Sequence, residues 1–119
     1  MGEYVCKIAN LDEIIEKCNY EIDRHLNDTK WVKFKELAIK NHKENNRIVY
    51  IGKLNNKIIC EATAIIHEDG FKGDIDNHDR LLSSDMVYLS AFRTNKEYEG
   101  QGYFKKLFIF MEHDLKYRG

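Results

Sequence analysis

Two apolar runs, "RIVYIGKL" (47–54) and "KIICEATAIIH" (57–67), stand on either side of Asn55 and Asn56. Each is of strand length and rich in β-branched residues. Asparagine tolerates positive φ, so a two-residue Asn-Asn connection predicts a tight antiparallel hairpin. The rest of the chain is read around that hairpin. "EYVCKIA" (3–9) alternates and reads as a strand. Asn10, with Glu13 three residues on, makes a variant of the capping box. Behind it Leu11, Ile14, Ile15, Cys18, Ile22 and Leu26 share one helical face, which predicts a helix to about Leu26. "NDT" (27–29) stops that helix and caps a second one, marked by Trp31, Phe34, Leu37, Ala38 and Asn41 and ending in "KENN" (43–46). Residues 68–84 are polar and acidic and read as a long loop. "DMVYLSAFRT" (85–94) is a further strand. From about Gly102 a last helix buries Phe104, Leu107, Phe108, Met111 and Leu115. The order β-α-α-β-β-β-α predicts an α/β (α+β) layer, a mixed and mainly antiparallel sheet flanked by helices, in one domain over 1–119.

Composition narrows the function. With 19 basic and 20 acidic residues the net charge is −1, which argues against a nucleic-acid binder working through bulk charge. No apolar run approaches the roughly 20 residues that span a bilayer, and the N-terminus reads as lacking a signal peptide. Cys6, Cys18 and Cys60 are odd in number and widely spaced, so they predict reduced thiols in a cytoplasmic protein rather than a disulfide framework or a zinc site.

Chemistry concentrates in "EYEGQGYFKKLF" (97–108). Gly100 and Gly102 bracket Gln101 directly before the last helix, and Lys105 and Lys106 lie in its first turns. A helix N-terminus presents unpartnered N–H groups and a partial positive charge, which suits phosphate. Glycine lets the backbone approach that phosphate closely. The pattern fits a pyrophosphate cradle, and equally a plain strand-to-helix turn. It lacks the Lys-Ser/Thr pair of a P-loop and the third glycine of a dinucleotide site, so nucleotide hydrolysis is disfavoured.

The run "FRTNKEYEGQGYFKKLFIFMEHDL" resembles motif A of the GNAT superfamily of N-acetyltransferases, and the order of elements before it is similar to the first half of that fold. The resemblance implies acetyl-CoA as cofactor and acetyl transfer to a primary amine, small-molecule or peptide, by direct attack. It implies that the amides of Gln101, Gly102, Tyr103, Phe104 and Lys105 face the phosphates, with Gly100 shaping the turn. Phe92 and Thr94 would offer main-chain groups to the pantetheine arm. Two positions depart from the pattern: Glu99 stands where Arg or Gln is usual, and Phe104 where Gly or Ala is usual. The resemblance also implies a further strand, a helix and two more strands after the last helix, which this chain lacks. The expectation is therefore a fold cut after motif A. Its alternative function is a non-catalytic domain that dimerises through the exposed strand 85–94, an open edge that invites a second copy.

Amine acetylation also needs a base. The candidates on the central strands are Glu61 and Tyr88, followed by His67 and Ser90. Glu61 lies inside an apolar strand, where the plainer reading turns it to solvent on a polar face. Tyr88 reads equally as a half-buried strand aromatic. Asp74, Asp76, His78 and Asp85 mimic calcium-loop spacing, but Asp79 replaces the required glycine, so no metal is expected. The acids of this loop would instead attract a cationic substrate.

Overall fold

In the computed structural model Asn55 and Asn56 both take positive φ, 52° and 69°, so the predicted hairpin turn forms with the twist its strands require. The structure describes residues 3–66 and 88–118. In chain order the elements are β1 (Tyr4–Ile8), α1 (Leu11–Arg24), α2 (Lys30–Lys43), β2 (Arg47–Leu54), β3 (Lys57–Ile65) and β4 (Tyr88–Thr94). A 3₁₀ turn (Lys96–Tyr98) and α3 (Tyr103–Arg118) follow. His67, the loop 68–84 with its calcium-like spacing, and the start of the 85–94 run lie outside the described residues.

Among the described residues the strands form one sheet in the order β1-β2-β3-β4, with every neighbouring pair antiparallel. This is the mixed α+β architecture expected from the sequence. Both faces of the sheet are covered. On one face α3 lays Leu107 and Met111 over Tyr50, Cys60, Ala62 and Ala64, and the small β3 side chains let the helix sit close. Tyr50 donates its hydroxyl to Asp114 at 2.6 Å, fixing the far end of that helix. On the other face Ile14 of α1 and Ala38 of α2 pack against Val49 and Ile51.

The capping box at α1 is complete. Asn10 Oδ1 accepts from Glu13 N–H at 2.9 Å, and Glu13 Oε1 accepts from Asn10 N–H at 3.0 Å. Two expectations need correction here. Thr29 makes no cap; Asp28 Oδ1 accepts the Lys30 N–H instead, at 3.2 Å. Helix α1 stops at Arg24, and Leu26, placed on the buried stripe by periodicity, is 78% exposed. In its stead Glu13, Lys17 and Glu21 are buried at i, i+4 spacing. Lys17 is only 1% exposed, and its ammonium bonds Glu21 at 2.8 Å. Glu13 is held by Lys7 at 2.8 Å and by Lys53 at 3.0 Å, one lysine from each neighbouring strand. The charged stripe is buried because each member brings its partner with it.

Candidate functional site

The glycine turn is set by its two ends. Upstream, buried Asn95 closes β4: its N–H donates to Ile59 O at 2.7 Å and its side-chain amide to Ile58 O at 3.2 Å. Downstream, Gly100 and Gly102 adopt φ of 76° and 84°, the left-handed region that favours glycine. A Cβ placed on either would meet nothing within 4 Å, so the space before the helix is open. Lys106 N–H bonds Gly102 O at 3.3 Å and closes the first helical turn. The N–H groups preceding it have no intrahelical acceptor, and they point along the positive end of the helix dipole.

The side chains near this end go separate ways. Tyr103 turns towards β1: its carbonyl accepts the Tyr4 hydroxyl at 2.8 Å, and its ring lies 4.8 Å from that of Tyr4. Phe104 packs on Phe92 with centroids 5.4 Å apart. Gln101 donates to Glu97 O at 3.1 Å, which steadies the turn, and Lys105 is exposed. A hollow of about 280 Å³ is lined by Phe92, Arg93, Thr94, Glu99, Gly100 and Phe104. The structure thus brings four residues of the predicted cofactor set together: Phe92, Thr94, Gly100 and Phe104. Gln101, Gly102, Tyr103 and Lys105 follow at the helix end but do not line the hollow. Glu99 does line it, and among the described residues no helix amide donates to its carboxylate.

Beside the hollow, β4 carries a bulge. Thr63 faces Ser90 and Glu61 faces Arg93, two steps along β3 against three along β4. The extra residue sends adjacent side chains to opposite faces of the sheet out of the regular count. Phe92 packs on Phe104 and Phe108 of α3, and Arg93 joins Glu61 beneath α1 and α2.

That opposite face holds a second cavity, of about 230 Å³. The sheet contributes Val49, Thr63, Glu61 and Arg93 to it, with Arg47 also in its lining. Helix α1 contributes Cys18 and Glu21, and α2 contributes Trp31, Phe34 and Lys35. Glu61 corrects the solvent-facing reading: it is 6% exposed and accepts from Arg93 Nη1 at 2.6 Å. No polar face exists for it to occupy, because helices cover both sides of β3. The Arg93 guanidinium lies 4.9 Å over the Trp31 ring, which also stacks on His25 and meets Phe34 edge-on. Burial and the nearby Glu61 carboxylate push the Cys18 thiol up to about 11, so it stays protonated at neutral pH. Arg93 lines both cavities. The sequence reading missed it; the available signal was a cation inside an apolar strand with an acid inside the neighbouring one. Tyr88 pairs through its main chain with Ile65, and its side chain lies outside the described residues.

The chain superposes on a GCN5-related N-acetyltransferase from Ralstonia eutropha with a TM-score of 0.67 at 9% identity, covering 98% of this chain and 78% of the other. The fold is that of the GCN5-related N-acetyltransferases. A predicted acetyltransferase from Clostridium acetobutylicum, solved with acetyl-CoA, aligns over 99% of this chain and 75% of its own, with a TM-score of 0.62 at 15% identity. An aminoglycoside acetyltransferase from an uncultured soil metagenomic sample, in complex with sisomicin, aligns over 98% and 72%, with a TM-score of 0.64 at 15% identity. No family model and no curated protein matches the sequence. Among the described residues no helix of this acetyltransferase fold is long and apolar enough to cross a membrane.

Proposed function

We propose that the chain is an N-acetyltransferase that takes acetyl from acetyl-CoA and delivers it to a primary amine by direct attack. The observation that carries this reading is the meeting of two cavities at Arg93. One opens at the glycine turn on the α3 face, and the other lies beneath α1 and α2. The residues at the turn fit a pyrophosphate: the front of the helix is open where a Cβ on Gly100 or Gly102 would stand, and its first amides lack acceptors. Acetyl-CoA, when bound, supplies an acetyl thioester. Gly100, Gln101 and Gly102 with the amides of Tyr103, Phe104 and Lys105 would hold its phosphates, and Phe92 and Thr94 would flank its arm.

Across the bulge Glu61 is placed to serve the acceptor. Its Oε1 is bound to Arg93, which leaves Oε2 to take a proton from the acceptor ammonium, directly or through water. The freed amine would then bond to the acetyl carbon as the carbon–sulfur bond breaks, and the thiolate would leave as thiol with the second proton released by the nitrogen. Cys18, held as a thiol, favours this single transfer over an acyl-cysteine relay. A cytoplasmic location accompanies the reading. Cys6 and Cys60 flank Gly52 in register, about 10 Å apart at two strand spacings. That is too far for a disulfide.

The test is amide hydrogen exchange with and without CoA. Residues 101–105 gain protection in the wild type, and Gly102→Val, whose side chain enters the open space, abolishes it. Unchanged wild-type exchange at saturating CoA overturns the cradle assignment.

A second reading rests on the other edge of β4. Among the described residues this strand pairs on one side only, and its Phe92 is 46% exposed. A second copy pairing antiparallel there would continue the sheet and occupy the slot of the pantetheine arm. Dimerisation and CoA binding would then compete.

A further inference from the structure

We propose that the cavity beneath α1 and α2 selects acceptor amines that also carry a carboxylate, an amino-acid-like class, rather than polyamines. The inference rests on the acetyl-transfer reading only for the fate of the amine; the recognition follows from the hydrogen-bonding supply of the cavity itself. Both carboxylates in its lining are already engaged. Glu61 accepts from Arg93, and Glu21 accepts from buried Lys17 at 2.8 Å, with His25 Nε2 3.4 Å from its other oxygen. A ligand ammonium that displaced Lys17 would strand a buried cation, and one that displaced Arg93 would give up the 2.6 Å bond that holds Glu61 inside the sheet.

What the cavity has in surplus is donors. Its lining sets two acids, Glu21 and Glu61, against three cations, Lys35, Arg47 and Arg93. Arg47 and Arg93 each have interactions of their own, so the weight falls on Lys35, whose ammonium has hydrogens beyond the one it gives Asn19. Among the described residues the buried Trp31 indole N–H has no acceptor, a state that favours any ligand oxygen able to reach it. Trp31 and Lys35 are one helical turn apart on α2 and so face the cavity together. Glu61 lines the same cavity, and with Oε1 taken by Arg93 its second oxygen is the one acceptor left for an ammonium. The arrangement matches a zwitterion, with its amine at the Glu61 end and its carboxylate towards Lys35 and Trp31. Phe34 and Val49 line the space between for an aliphatic body. At about 230 Å³ the space lies below the usual range for drug-sized ligands, which favours a small molecule.

Trp31 is the only tryptophan in the chain, so intrinsic fluorescence reports entry into the cavity. The probes are ε-aminocaproate and hexamethylenediamine, which share a chain length and differ in one terminal group. The first should change Trp31 emission saturably, and the diamine should bind about tenfold more weakly or worse, the scale of one charge-assisted hydrogen bond. Lys35, partly exposed and bonded among the described residues to Asn19 alone, can be changed without disturbing the core. Lys35→Gln should weaken ε-aminocaproate several-fold and leave the diamine unchanged, and Lys35→Arg should restore most of the loss. Equal or tighter diamine binding overturns the inference, as does the absence of a saturable change with either probe. Acetylation of both probes is measured in parallel. Tight, Lys35-dependent ε-aminocaproate binding without acetylation upholds the cavity chemistry and sinks the acetyl-transfer reading. Preferential acetylation of the diamine does the reverse.

Discussion

Gly52 supports the start of α3 from two strands away, and replacing it with alanine tests that coupling. It sits in β2 between Cys6 of β1 and Cys60 of β3. A Cβ there would overlap the Tyr4 hydroxyl and lie 2.6 Å from Cζ and 2.8 Å from Cε1 of the same ring. Tyr4 would have to leave. Its hydroxyl bonds the Tyr103 carbonyl at 2.8 Å and its ring packs on Tyr103, so leaving uncouples β1 from the first residue of α3. Burial, reinforced by the Cys60 and Cys6 thiols, raises the Tyr4 hydroxyl far above its ordinary value, so it remains a donor across the accessible pH range. One neutral hydrogen bond is worth about 1 kcal/mol, and an aromatic pair about 0.5–1.5 kcal/mol. With some lost burial, Gly52→Ala should destabilise by about 2–3 kcal/mol. Urea unfolding of wild type, Gly52→Ala, Tyr4→Ala and the double variant closes the cycle. With Tyr4 already gone the added methyl loses the three atoms nearest to it, so the coupling should be about 2 kcal/mol. Additivity within about 0.5 kcal/mol would refute the reasoning, because Tyr4 would then be free to move and could not be holding the helix start.

Burial alone would raise the Glu13 carboxyl, but Lys7, the Asn10 amide and Lys53 outweigh it and hold the group at about 2, against an ordinary 4.5. A depressed carboxyl stabilises fully above 4.5 and loses that contribution as pH falls towards 2. Allowing for the exposure of Lys7, about 2 kcal/mol should vanish across that window in wild type and be absent in Glu13→Gln; parallel curves would reject it. Glu99 lines the hollow at the turn and among the described residues takes no helix amide, so Glu99→Arg should tighten CoA about two- to fivefold by titration calorimetry. Weaker binding would make Glu99 a structural residue. Edge pairing through β4 predicts a dimer by light scattering at micromolar concentration that CoA dissociates, and a monodisperse monomer without CoA removes that reading.

What could be read from the sequence follows from the range of the interactions involved. Asn55-Asn56 fixes its turn through local φ preferences, and Asn10 with Glu13 caps a helix within four residues. These are decided by neighbours in the chain and were legible. The buried face of α1 was legible only in part, since Ile14 and Cys18 pack inside as expected. Periodicity put Leu26 on it and left Glu13, Lys17 and Glu21 to solvent, because the lysines that make Glu13 tolerable inside come from β1 and β2. At the turn the positions of Gly100 and Gly102 were legible from their spacing. The Tyr4 anchor, 99 residues from Tyr103 in sequence, was not.

The same distinction explains the candidate site. Glu61 was read as surface because alternation assumes a strand with one wet face, and β3 has none. Its partner was hidden further by the bulge. Counting by twos from the Thr63–Ser90 pair would bring Phe92, not Arg93, across from Glu61. A single inserted residue, invisible without the register of the neighbouring strand, swaps them. With Phe92 opposite Glu61, the carboxylate would be buried without a counterion, a state costly enough to expel it or protonate it. The bulge therefore does two things at once. It gives Glu61 a cation to pair with inside the sheet, and it seats that cation on the boundary between the cavity at the glycine turn and the cavity beneath α1 and α2. On the acetyl-transfer reading, donor and acceptor would meet at that boundary. Removing the bulge by deleting one residue from β4 would disrupt the ion pair and the meeting point together.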